Sequence, residues 1–157
     1  MHPITSTLSA ALASLLLLGS AFAQSQSPAN TKTLKTGLQV YKQVCIACHD
    51  TGVAHAPKLG DKTVWAPLID EGQGVLTAHA WVGVRAMPAK GGEPKLALEE
   101  FARAVAWMAS DAGANWKDPD ARMMRTIRKE AEKRLDVDIR ERQKMRAELH
   151  RLNAAAK

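Results

Sequence analysis

The sequence predicts a helical protein, and two stretches carry that prediction. In "LALEEFARAVAWMAS" the apolar residues Leu98, Phe101, Val105 and Met108 recur every three or four positions, which lines one face of an amphipathic helix. From Asp118 onward, Met123, Ile127, Ala131, Leu135, Ile139, Met145, Leu149 and Leu152 recur at mostly the same interval. No glycine interrupts that second stretch, and its charge is dense.

The chain opens with "MHPITSTLSAALASLLLLGSAFAQSQ", and Leu8 to Phe22 is a run of apolar and small residues. With small residues around Ala23, this reads as a secretory signal over residues 1–23, cleaved after Ala23, although its first residues contain no Lys or Arg. A membrane-spanning helix needs about 20 predominantly apolar residues, and this run is shorter and flanked by Ser, Thr and Gly. The expected destination is the bacterial periplasm or an equivalent exported space.

Residues 24–32 then read as a flexible linker. The remaining chain is long enough for one domain, expected over 33–114, and an appendage over 115–157. Charge separates the two. From Lys117 to Lys157 there are 13 basic against 8 acidic residues, leaving 9 against 8 before it and a net charge of +6.

The chemistry concentrates in "VYKQVCIACHDTGVAHAPKLGDKTVWAP", residues 40–67, where the chain's two cysteines, Cys45 and Cys48, directly precede His49. A Cys-x-x-Cys disulfide closes too small a loop to restrict the unfolded chain much. A zinc site wants four N or S ligands, and no second Cys pair or His-x3-5-His spacing completes one. A thioredoxin-like redox site belongs in a βαβ setting that is missing here. Covalent haem fits instead: thiols at i and i+3 share a helix face and can add to the two vinyl groups, and the next residue offers its imidazole to the iron.

A second axial ligand must come from the other side of the haem. Met87 stands in "GVRAMPAKGGEP", where Pro88 stops a helix and Gly91 and Gly92 let the chain turn, so it has little reason to be a core residue. Met108 lies on the apolar face of the helix around Leu98 and reads as core. His79, in the helix-like run "GVLTAHAWVGV", is the alternative ligand, and His55 is too close to His49 in the chain to cross the haem plane easily.

These residues resemble the class I bacterial cytochromes c, and within them the cytochrome c5 group. The resemblance rests on "VYKQVCIACH", "GVAHAPKLGDKTVWAP", "AMPAKGG" and "EEFARAVAWM", and runs from Gly37 to about Ser110, roughly half the chain. It implies an all-α fold wrapped around one covalent haem c, with an N-terminal helix near Leu34 to Val44 crossing a C-terminal helix near Leu98 to Ala109. It implies thioethers at Cys45 and Cys48 and axial ligation by His49 and Met87. It further implies that the Pro57 carbonyl accepts the second N–H of the proximal histidine, and that Trp65 lies near a haem propionate. Two departures stand out: "AKGGEPKLAL" lacks the cysteine pair many relatives carry after the methionine loop, so no disulfide is expected there, and the basic tail is additional.

The tail reads as one long amphipathic helix with Asp118 as N-cap and Pro119 in its first turn, its seam broken near Arg142, supported by Glu130–Arg134 and Asp138–Arg142 pairs. It invites three readings: packing back on its own domain, self-association or docking to a membrane complex, and contact with anionic headgroups. Nucleic acid is excluded by export and haem; redox proteins with acidic docking surfaces suit the charge. With both axial positions filled, a single-electron carrier that is not an enzyme is expected. A haem sensor with a labile distal Met, or a haem subunit fixed by its tail to a larger respiratory enzyme, are the alternatives.

Overall fold

The computed structural model describes residues 33–156; the expected signal segment, its cleavage point and the linker over 24–32 lie outside the described residues. Among those described the regular structure is helical, and the sole β-type pairing is an isolated bridge between Val84 and Met87.

The first helical run begins at Gly37, three residues later than the sequence led us to expect. Thr36 dictates that start. Its hydroxyl accepts from the Gln39 backbone N–H at 3.2 Å while the Gln39 side chain accepts from the Thr36 N–H at 2.8 Å, a reciprocal capping box. The run does not stop at Val44 either. Helix α1 (Gly37–Val40) widens into a π-helical turn (Tyr41–Cys45) and tightens again into α2 (Ile46–His49), so the whole cysteine motif is helical.

Helix α3 (Lys62–Asp70) is capped by Asp61, whose carboxylate accepts from the Val64 N–H at 3.2 Å. Helix α4 (Gln73–Val82) follows after Gly72. Helix α5 (Leu98–Asp111) fulfils the periodicity of its sequence, burying Phe101, Val105 and Met108, and carries Glu99 and Glu100 in its first turn, where the helix dipole favours acids. α1 crosses α5 at glycine distance. A Cβ on Gly37 would lie 2.3 Å from the Arg103 carbonyl oxygen and 2.7 Å from the Trp107 Cβ, so no other residue fits without separating the helices. Val40, Trp65, Leu76, Phe101, Val105 and Met108 belong to the main core cluster.

Helix α6 (Ala121–Ala155) is a single helix of 35 residues, about 50 Å long. Its N-cap is Asp120, not the expected Asp118: the Asp120 carboxylate accepts from the Met123 N–H at 2.7 Å, and Pro119 stands before the cap. Asp118 instead lies 3.6 Å from Arg103 Nε. The expected Glu130–Arg134 pair is replaced by Glu130 with Lys133 at 3.6 Å. The first turns pack back on the rest of the fold, with Met124 and Ile127 buried against Ala102 of α5. Beyond Ala131 the helix is largely exposed, including Met145 (67%), Leu149 (56%) and Leu152 (56%), and the polar positions near Arg142 do not interrupt the backbone.

Candidate haem site

A cavity of about 360 Å³ lies between the first helical run, α3, α4 and α5. Its walls are mainly apolar: Val44 beside the cysteines, Trp65 and Leu68 from α3, Leu76 and Ala80 from α4, and Val105 and Met108 from α5. Cys45, Cys48, His49 and Met87 all line this one space.

The helical run brings Cys45 and Cys48 to the same wall, and the two do not pair in a disulfide. Cys45 is half-buried and Cys48 exposed. Burial pushes the Cys45 thiol up to about 11, reinforced by the neighbouring Cys48.

His49 is buried, and its Nδ1 lies 2.8 Å from the carbonyl oxygen of Pro57. With Nδ1–H donating there, Nε2 is left with a lone pair to coordinate a metal. The segment 57–59 is tied at three consecutive residues: Pro57 accepts from His49, Lys58 accepts from the Trp65 indole N–H at 2.8 Å, and the Leu59 N–H donates to the His49 carbonyl at 2.7 Å. The indole N–H of Trp65 has a backbone partner, and its ring lies 6.4 Å from the His49 ring at 44°.

Met87 closes a tight turn directly after α4. The Val84 N–H donates to the Met87 carbonyl at 3.1 Å and the Met87 N–H to the Val84 carbonyl at 2.9 Å, with Arg85 at φ +54°. Gly83 makes this possible: at φ +102°, a Cβ there would stand 3.0 Å from the Ala89 nitrogen. Met108 is buried in the core as its helical spacing predicts, though it also touches the cavity. His79 is on the wall too, with Nδ1 3.0 Å from Glu71 Oε2, and His55 is at the exposed rim. Sequence reasoning missed Leu76, Ala80 and Glu71; the four-residue spacing of Leu76 and Ala80 in a helix-like run is the signal that could have found the first two.

This donor set fits a covalently held haem. Two thiols, an imidazole with one nitrogen committed and a thioether share a mainly apolar cavity, and each has a chemical use in such a site.

Comparison with known proteins gives the same direction. Residues 32–108 match the family described as cytochrome c oxidase, cbb3-type, subunit III. Cytochrome c-555 of Chlorobaculum thiosulfatiphilum is 42% identical over 80 residues, covering 48% of this chain and 93% of that protein. Cytochrome c-555 of Chlorobaculum tepidum is 39% identical over 104 residues, covering 64% of this chain and 89% of that protein. Cytochrome c5 of Azotobacter vinelandii is 35% identical over 77 residues, covering 48% of this chain and 93% of that protein. Among solved structures, a chain from the crystal structure of an electron transfer complex of nitrite reductase with cytochrome c is 41% identical, with a TM-score of 0.48, covering 51% of this chain and 99% of that one. The family match ends at residue 108, so α6 lies outside it.

Proposed function

The chain belongs to the class I cytochromes c, which carry covalently attached haem c, and from that premise we propose that it is an exported monohaem carrier of single electrons. Cys45 and Cys48 would hold the haem by thioethers, and His49 and Met87 would be the ligands to its iron. When bound, the haem supplies a one-electron Fe(II)/Fe(III) change. The residues of the chain set how readily that change occurs. The Pro57 carbonyl holds the His49 ring in one tautomer and raises its basicity, while a Met thioether favours Fe(II) relative to a second imidazole. The apolar wall of Leu68, Leu76, Ala80 and Val105 excludes water.

The observation that carries this reading is the convergence of Cys45, Cys48, His49 and Met87 on one apolar cavity. With both axial positions taken, no coordination site remains for a substrate, which is why a carrier is favoured over an enzyme. The two backbone hydrogen bonds that close residues 84–87 favour a held methionine over a labile one. Exposure of the reduced, haem-loaded protein to carbon monoxide tests this. A closed site leaves the spectrum unchanged on mixing; prompt binding moves the haem sensor ahead.

Export rests on residues 1–23, and no helix among the described residues is long and apolar enough to cross a membrane. Sequencing the N-terminus of the mature protein checks cleavage after Ala23. The partners we propose are redox proteins with acidic docking surfaces, complementary to the basic tail, where charge speeds encounter more than it tightens the complex. The exposed Met145, Leu149 and Leu152 favour a second reading, in which the far end of α6 attaches the cytochrome to a larger assembly or to another copy. Removing residues 132–157 separates the two, because a free shuttle keeps its electron exchange and an attached subunit loses its complex.

A further inference from the structure

We infer that the first turns of α6 are a positioning element for Met87, acting through α4, and that Gly74 and Thr126 are the contact through which they act. The inference rests on the reading of Met87 as an axial ligand.

The two sides of α4 do different things. Leu76, His79 and Ala80 line the haem cavity, while the helix packs along α6 elsewhere. The approach to α6 is close: a Cβ on Gly74 would meet the Thr126 Cγ2 at 2.8 Å, under any normal contact, while Met123 Sδ and Thr126 Cβ would both lie at an ordinary 3.7 Å. Ile127, one residue along, is fully buried, and α6 also reaches α5 through Ala102 and an Arg128–Glu99 pair at 3.6 Å. The start of α4 is tied to the entry of the tail by the Gln73 side-chain N–H, which donates to the Lys117 carbonyl at 2.9 Å.

At its other end α4 delivers Met87. Only Gly83 separates Val82 from the turn that two backbone hydrogen bonds close, and the 3₁₀ turn Ala89–Gly92 beyond Met87 packs back on α4. Met87 is thus bracketed on both sides by chain fixed to α4. A shift of α4 imposed from its α6 side carries Met87 with it. α6 itself lies beyond the matched family region.

The test uses the full mature, haem-loaded protein. Gly74→Ala favours helix in itself, so harm done by it reports the contact with α6. Thr126→Ser removes the offending Cγ2 and keeps the hydroxyl that donates to the Arg122 carbonyl at 3.3 Å. In Gly74→Ala we expect amide hydrogen exchange across residues 73–88 to quicken roughly tenfold, the reduction potential to fall and the weak iron–methionine absorption band to lose intensity. Adding Thr126→Ser should restore all three. If Gly74→Ala does not yield haem-loaded protein, Ile127→Val trims one methylene from the same interface and should give the same changes at smaller amplitude.

Unchanged exchange across 73–88, or changes that Thr126→Ser does not relieve, would overturn the inference. So would altered exchange with an unaltered potential, provided that Met87→Ala itself moves the potential. If Met87→Ala is silent, the ligand assignment has failed instead, and the exchange at residues 84–87 alone decides whether α6 controls that turn.

Discussion

The Nδ1 of His49 lies 2.8 Å from the carbonyl oxygen of Pro57, and the next residue's carbonyl, that of Lys58, is held at 2.8 Å by the indole N–H of Trp65. If the two adjacent bonds are coupled, the orientation of the His49 imidazole depends on a tryptophan that does not bond to it. Trp65→Phe keeps a ring in the core and leaves the Lys58 carbonyl without its donor. We expect a loss of about 1–3 kcal/mol in stability. As the Pro57 bond slackens, His49 becomes less basic and the reduction potential rises. Redox titration beside thermal unfolding checks both; a lower melting temperature with an unmoved potential would confine Trp65 to packing.

The crossing of α1 and α5 predicts a second outcome. Gly37→Ala should destabilise by roughly 1–3 kcal/mol, despite the better helix propensity of alanine, because its Cβ would fall 2.3 Å from the Arg103 carbonyl. Denaturant unfolding of the haem-loaded protein measures it.

Two aspartates give a third. Asp120→Ala should cost about 1 kcal/mol through loss of the cap on α6, whereas Asp118→Ala should cost well under that, since its ion pair with Arg103 is exposed on the Asp118 side. Equal losses would contradict the assignment of the cap.

Alkaline pH supplies a fourth. Burial, with a smaller contribution from Asp50, raises the ionisation of the Tyr41 hydroxyl above its ordinary value near 10. A raised folded-state value means that the native state binds more protons than the unfolded chain once pH passes the unfolded value. Its contribution is complete below about pH 10 and is lost as pH rises through the folded value. Tyr41→Phe, which keeps the ring 5.1 Å from that of Trp107, should flatten the fall in unfolding midpoint above about pH 10. An unchanged slope would assign the alkaline loss to other groups.

What could be read from residues alone was whatever is encoded locally. The Cys45, Cys48, His49 motif and the α5 face are short-range patterns, and the structure places them as their spacing implies. The first helix starts at Gly37, not near Leu34, because the Thr36–Gln39 capping box sets its first turn, and the π-helical turn that carries the helix through the cysteines has no plain sequence signal. Pro57 came from resemblance, since a carbonyl partner leaves no trace in residue type. The tail's apolar seam announced a face without saying what covers it. Gly74, the residue that lets α4 approach α6, looked like any glycine in a helix-like run.

The central claim is that Met87 closes the distal side of the haem, and the most direct test is the absorption spectrum of the oxidised, haem-loaded protein before and after Met87→Ala. The account predicts the weak iron–methionine band in the parent, its loss in the variant, and a lower reduction potential with it. A parent without the band, or a variant with spectrum and potential unchanged, would contradict it.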